Sequence, residues 1–109
     1  MKKTAFLLSL FILSSACQAD GWTGELSVAS AFTEAKTDLL VVYTSGGSGY
    51  TPGCSVNAWI FTADTAARGN RGYATVLAAL ATGKKIKFWY RDSCAIWSFH
   101  EATSVMLVN

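Results

Sequence analysis

Residues 73–92 read YATVLAALATGKKIKFWYRD, and their apolar spacing changes midway from that of a helix to that of a strand. Four apolar residues in the first half recur at i, i+3, i+4 and i+7, namely Tyr73, Val76, Leu77 and Leu80. This spacing predicts a helix over residues 73–82 that packs these four side chains on a core and ends at Gly83. Asp64 or Thr65 can cap an earlier start, but Gly69 and Gly72 weaken those first turns.

The predicted helix contains no charged residue between Tyr73 and Thr82. Its outward side is predicted to present small residues, namely Ala74, Thr75, Ala78, Ala79 and Thr82. A helix with one face in water normally carries charges on that face. Two interpretations stay open, an alanine-rich surface helix or a helix whose outer side is covered by further copies of the chain.

The second half of the opening stretch alternates over residues 85–92, as a half-buried strand does. Ile86, Phe88 and Tyr90 take one face. The other face carries Lys85, Lys87, Trp89 and Arg91, so an indole ring is predicted to lie between positive charges.

Four other segments also have the composition or the alternation of strands: residues 25–31, 38–44, 54–62 and 102–108. The element order is then three strands, one helix and two strands. With mostly antiparallel pairing, this order predicts a mainly β single domain with one helix, a five-stranded Greek-key barrel of the OB type.

Residues 1–19 have the pattern of a secretory signal peptide. Lys2 and Lys3 precede an apolar run over residues 5–13, which is shorter than the 20 or so residues that span a membrane. Cleavage is predicted after Ala19, which makes residues 20–109 a single secreted or periplasmic domain. The alternative is a lipoprotein anchored at Cys17, which is disfavoured because Ser14 occupies the position where a bulky aliphatic residue is expected.

The chain has three cysteines, an odd number for an exported protein. Removal of residues 1–19 takes Cys17 away and leaves Cys54 and Cys94, which are predicted to form a disulfide in an oxidising compartment. A metal site is the alternative, but two cysteines and one distant histidine, His100, make a poor ligand set. We therefore predict no metal and no cofactor.

The formal charge of +2 also depends on the signal peptide, because Lys2 and Lys3 leave with it. Seven basic and seven acidic residues remain, and a neutral domain is a poor partner for nucleic acid. Residues 20–64 carry five acids and one base, whereas residues 65–95 carry six bases and one acid. This asymmetry is either a chance feature of a solvated surface or a basic face that meets an anionic ligand or the acidic face of another copy.

Several short motifs resemble the B subunit of subtilase cytotoxin and its small exported relatives. They are Trp22-Thr23-Gly24, Cys54 at the start of a strand that contains Trp59, the helix that runs into Ala81-Thr82-Gly83-Lys84-Lys85, and Ile86-Lys87-Phe88. The resemblance spans most of residues 21–109 as an order of elements.

The resemblance implies an OB fold, a pentameric ring whose helices line a central channel, and recognition of sialylated host glycans. It also implies a catalytic A subunit as a possible partner. The sugar pocket of that family is built around a hydroxyl residue shortly after the Trp-Thr-Gly motif. Ser27, Ser30 and Thr33 are the candidates in this chain, and Ser30 is our candidate ligand residue.

The remaining chemistry favours binding over catalysis. A nucleophile needs a nearby base and an orienting group, and His100 is the one histidine, while both retained cysteines are predicted to be oxidised. Trp89 with Lys87 and Arg91 can instead hold a sugar ring and its carboxylate, although large aromatics more often fill a core or an interface. We predict an oligomeric glycan-binding protein, with a secreted or periplasmic OB-fold protein that binds or inhibits another protein as the alternative.

Overall fold

The computed structural model describes residues 20–34, 39–46 and 50–109. The predicted signal peptide, with Cys17 and Ala19, lies outside the described residues, as do Lys36 and Asp38. Within the described part the fold is mainly β with one helix. Its elements are β1 (Gly21–Trp22), β2 (Ser27–Glu34), β3 (Leu39–Ser45), β4 (Ser55–Phe61), α1 (Ala66–Thr82), β5 (Lys85–Cys94) and β6 (Phe99–Val108).

The strands form one mixed sheet in the order β1-β5-β6-β4-β3-β2. All neighbours pair antiparallel except β4 and β6, which run parallel. An additional antiparallel bridge joins Leu26, just before β2, to Ile86 of β5 through N–H···O bonds of 2.8 and 2.9 Å. The start of β2 therefore contacts β5, although β2 and β5 stand apart in the strand order.

The five predicted strands are present with shifted ends, and β6 begins three residues earlier than predicted, at Phe99. Strand β1 was not predicted, because two residues are too few for a periodic pattern. It exists because Gly21 and Trp22 pair with Tyr90 and Trp89 of β5.

The core lies between α1 and one face of the sheet, around the rings of Trp59 and Phe88, which are tilted by 36° with their centroids 4.9 Å apart. The Trp59 indole N–H donates a 3.0 Å hydrogen bond to the Thr44 hydroxyl, which satisfies its buried polar atom. Residues 58–61 of β4 are all buried, so this strand is covered on both faces where it lies between β3 and β6.

Helix α1 begins at Ala66, seven residues before the predicted start. The Thr65 side chain caps it by accepting a 3.1 Å hydrogen bond from the Arg68 N–H. At the other end Gly83 adopts a left-handed φ of 75°, which terminates the helix as predicted. Gly69 and Gly72 have a low helix propensity, which is why the sequence predicts a later start. Propensity does not include the packing of Gly72 against Phe61 of β4.

The predicted faces of the helix are partly wrong. Its buried residues are Gly72, Val76 and Ala79, whereas Leu77 and Leu80, predicted to face the core, are about two-fifths exposed (39% and 41%). Small residues face the sheet because the helix approaches it closely, and a Cβ atom at Gly72 would overlap the ring of Phe61.

The predicted outward face therefore loses one member. Ala79 is buried in the core, Thr75 and Ala78 are half-buried, and Ala74 and Thr82 are exposed as predicted.

The predicted disulfide is confirmed: Cys54 and Cys94 are bonded, with their Cα atoms 5.5 Å apart. Cys54 immediately precedes β4 and Cys94 ends β5. Because β6 separates these two strands in the sheet, the bond joins segments that are not neighbours in the hydrogen-bonded ladder.

Candidate ligand-binding surface

The Trp22-Thr23-Gly24 motif attaches the N-terminal segment to β5. The Thr23 N–H donates to the Phe88 carbonyl (2.8 Å), and the Phe88 N–H donates to the Thr23 hydroxyl (3.0 Å). The Thr23 hydroxyl thus takes the place of the backbone carbonyl that a neighbouring strand would offer to Phe88. The Gly24 N–H donates to the Tyr50 hydroxyl at 3.1 Å. These bonds hold Trp22 in place against β5.

Trp22 and Trp89, which we call the indole pair, lie directly opposite each other in the β1–β5 pairing. Their ring centroids are 5.5 Å apart and their planes meet at 81°, an edge-to-face arrangement. Trp22 is 43% exposed and Trp89 is half-buried. The pair therefore offers aromatic surface to solvent in a nearly right-angled corner.

Lys87 and Arg91 flank Trp89 along β5. The fully buried Ile86 and Phe88 mark the face opposite Lys87 and Trp89, and the β5–β6 register shifts between Trp89 and Tyr90 and again between Tyr90 and Cys94, the segment that contains Arg91. Lys87 is half-buried and Arg91 is exposed. Ser104 of β6 lies opposite Trp89. The structure thus places Lys87, Trp89 and Arg91 along one strand, next to a residue of β6 that the sequence analysis did not identify.

Arg91 and Ser104 line a cavity of about 540 Å³ between the sheet and the start of α1, which we call the arginine cavity. Its polar lining consists of Thr62, Asp64, Arg68, Arg91, Thr103 and Ser104. Volumes of this order are typical of small-molecule sites. Arg68 and Asp64 form an exposed ion pair at 3.2 Å across one turn.

Ser30 lies elsewhere. It is exposed on β2 and pairs with Tyr43 of β3, whereas Trp89 pairs with Trp22 and Ser104. Ser30 was a candidate because of the resemblance, which implies a hydroxyl residue shortly after the Trp-Thr-Gly motif and does not say on which strand of this chain that residue lies.

A second aromatic surface was missed by the sequence analysis. Successive ring centroids 6.2, 5.9 and 5.8 Å apart form a row, which we call the aromatic row: Phe32, Tyr43, Phe99 and Trp97. Trp97 and Ser98 both have left-handed φ angles (63° and 58°), uncommon for residues other than glycine. This turn leaves Trp97 48% exposed. The sequence offers one indication of this surface, since Tyr43 lies between the buried Val42 and Thr44 and therefore takes the other face of β3.

His100 is fully buried on β6, opposite Cys94 of β5, so a ligand in solution has no access to it. Its ring stacks on Trp59 with centroids 4.6 Å apart. The Nδ1 atom lies 2.8 Å from the Ser55 carbonyl and Nε2 accepts the Thr51 N–H at 3.3 Å, so the neutral Nδ1–H tautomer satisfies both partners. Burial lowers the pKa of His100, and hydrogen bonds to the carbonyls of Ser55 and Ala58 oppose this only in part.

This environment predicts a loss of stability in mild acid. The unfolded chain binds a proton at His100 near its ordinary pKa of 6.5, whereas the folded chain binds it only at lower pH. We therefore expect the urea midpoint to fall as the pH is lowered through 6.5, and to fall less in a His100→Gln variant. Carboxylates titrate in both proteins, so an equal pH dependence of the two between pH 7.5 and pH 5.5 would contradict this assignment.

In the described part of the chain, no three His, Cys, Asp or Glu side chains group closely enough to hold a metal ion. Among the same residues, no helix is both long and apolar enough to cross a membrane.

A search of curated proteins gave no match to this sequence. One family model matches residues 2–108, which is nearly the whole chain. The chain belongs to the family of unknown function DUF5992.

Proposed function

We propose that the protein is an exported glycan-binding protein of the sialoglycan type that holds its ligand on the indole pair. The observation that carries the proposal is the corner of Trp22 and Trp89 on the surface, with Lys87 and Arg91 on the same strand as Trp89. The flat apolar face of a pyranose ring suits an exposed indole, and the adjacent cations suit an acidic substituent. The proposed activity is binding and not catalysis.

The strand pairing supports an OB-type Greek-key barrel. The Leu26–Ile86 bridge brings the start of β2, at one end of the strand order, to β5, which lies near the other end. The strands from β5 to β2 thereby close into a ring. The parallel pairing of β4 with β6, and the helix between β4 and β5, agree with the element order that predicted this fold. OB folds bind oligosaccharides as well as oligonucleotides.

Export is supported by the pattern of residues 1–19 and by the disulfide, because disulfides persist in oxidising compartments. Processing after Ala19 would remove Cys17 and leave both other cysteines bonded. We propose a secreted or periplasmic location on this basis.

The exposed side of α1 supports assembly into a ring of copies, as the resemblance to subtilase cytotoxin B subunits implies. Leu77 and Leu80 stand exposed on this helix, beside Ala74. Two exposed leucines make this surface more apolar than the small-residue face that the sequence predicted, and covered apolar area stabilises association. Five copies, and a catalytic A subunit, rest on the resemblance alone.

The test of the proposed function is a sialylated and neutral glycan array probed with the wild type and with Trp89→Ala. We expect the wild type to bind sialylated glycans and Trp89→Ala to bind about tenfold more weakly, because stacking on one aromatic ring is worth about 1–3 kcal/mol for a nucleobase. Circular dichroism on both proteins checks that the substitution leaves the fold intact.

Trp97→Ala is the matched control, since it removes the same side chain from the aromatic row. We expect it to bind glycans like the wild type. If Trp97→Ala and not Trp89→Ala lost binding, the indole pair would be the wrong site.

The aromatic row favours a second function, the binding or inhibition of another protein without sugar recognition. It presents Trp97 and Tyr43 on a sheet surface, with Ile96 also exposed beside Trp97. Exposed aromatic residues of this kind are enriched in the centres of protein interfaces. A wild-type protein that binds no glycan on the array would favour this function over the first.

A further inference from the structure

We propose that the arginine cavity binds an oxyanion, a sulfate or carboxylate group, with Arg91 as its principal ligand. The inference deepens the proposed function and rests on it for one point, that the oxyanion belongs to an acidic sugar held by the indole pair. The cavity itself is defined by geometry that does not depend on the sugar.

Arg91 is the residue best placed to bind the anion. Its backbone carbonyl accepts a 3.2 Å hydrogen bond from the buried Thr51 hydroxyl, which holds this part of β5 in place. In the described residues, its guanidinium has neither a hydrogen bond nor an ion pair with another side chain. A planar guanidinium can donate two parallel hydrogen bonds to a sulfate or carboxylate, so Arg91 is free to do so.

The rest of the lining adds donors around the same space. Arg68 contacts both Asp64 oxygens through Nη1 at 3.2 Å, which leaves its other nitrogen atoms without a contact of this kind. Thr103 and Ser104 contribute hydroxyl groups from β6. The third hydroxyl of the lining, that of Thr62, donates to Glu101. Two guanidinium groups and the Thr103 and Ser104 hydroxyls match the acceptor-only chemistry of an oxyanion.

Two carboxylates lie near the arginine cavity, Asp64 in its lining and Glu101 next to the lining residue Thr62. Asp64 is paired with Arg68, and Glu101, which does not line the cavity, accepts hydrogen bonds from the Thr62 and Ser93 hydroxyls at 3.1 and 3.4 Å. The Asp64 charge is balanced by Arg68, whereas Glu101 keeps its charge because its donors are neutral hydroxyls, but it lies outside the lining. Among the lining residues Arg91 is therefore the charge without an ion-pair partner. This arrangement favours an anion over a cation.

The cavity adjoins the indole pair through Ser104, which lies opposite Trp89 in the β5–β6 pairing. A sugar ring on the indoles can therefore place a substituent beside Arg91. Arg91 and Trp89 then contact different parts of one ligand, which makes their contributions separable by experiment.

The test is a titration of the folded protein with sodium sulfate and, separately, sodium acetate at constant ionic strength, followed by backbone amide NMR. We expect saturable shifts at Thr103 and Ser104, and binding at least about tenfold weaker in Arg91→Gln, because hydrogen bonds to charged groups contribute most to such sites. Lys84→Gln removes one positive charge from an exposed position outside the cavity and should bind like the wild type.

The two anions distinguish the sources of the group: tighter sulfate binding indicates a sulfated sugar, and tighter acetate binding a sugar carboxylate. Shifts without saturation, or equal affinities in the wild type and Arg91→Gln, would overturn the inference. An Arg91-dependent site in a protein that binds no glycan on the array would uphold the oxyanion site while rejecting the proposed function.

Discussion

Replacing Cys54 and Cys94 together with alanine is expected to lower the free energy of unfolding by about 4 kcal/mol. The bond joins residues 40 positions apart, and a loop of that size restricts the unfolded chain strongly. It also connects the start of β4 to the end of β5, two strands that β6 keeps apart in the sheet. A loss of this size is a large share of the 5–15 kcal/mol that stabilises a typical domain.

Denaturant unfolding with and without reductant measures this contribution. The wild type should become less stable when dithiothreitol is added, whereas the double alanine variant should be insensitive to it. The reductant therefore serves as the control for side effects of the substitution at the buried Cys54 site. A double variant within about 1 kcal/mol of the wild type would show that the loop constraint is not what stabilises this domain.

Much of the sheet could be predicted because its strands have distinct inner and outer faces. The alternation over residues 85–92 placed Ile86 and Phe88 inside, and both are fully buried. The same alternation grouped Lys87, Trp89 and Arg91 on the opposite face of the strand. Strand ends were less predictable, since Phe99 and His100 belong to β6 although no alternation marks its start.

Features that depend on contacts between distant segments could not be predicted. The indole pair requires β1, which exists only because Gly21 and Trp22 pair with β5. The arginine cavity likewise requires Arg68 of α1 to lie near Arg91, more than 20 positions away along the chain. A pattern along one sequence records faces of single elements and does not record which elements meet.

The helix shows how packing can reverse a prediction made from hydrophobicity. Leu77 and Leu80 have the larger apolar side chains, so periodicity favoured their burial. Val76 is buried as predicted, but the rest of the buried face consists of Gly72 and Ala79, and at Gly72 the helix lies too close to Phe61 even for a Cβ atom. Separation between elements, which the sequence does not state, decided which face is buried.

Gly72→Ala tests this close approach and is expected to destabilise the domain by about 2–3 kcal/mol, the cost of overpacking a well-filled core. An added Cβ atom would overlap the Cε2 and Cζ atoms of Phe61 and lie 3.0 Å from Cδ2. The Phe61 ring is itself buried in the core, so it has little room to turn away. Without the overlap, alanine would be favoured here by about 1 kcal/mol, since it is the better helix former.

Gly69→Ala, one turn earlier in the same helix, is the matched control. A Cβ atom there has only ordinary contact with the Ala63 Cβ at 3.9 Å. We expect this variant to be more stable than the wild type by up to about 1 kcal/mol, because the helical propensity of alanine acts without a steric cost. Opposite signs for the two substitutions, measured by urea unfolding, would attribute the effect at Gly72 to Phe61. Equal stabilisation at both sites would mean that the helix lies farther from β4 and that a larger residue could have occupied the buried face.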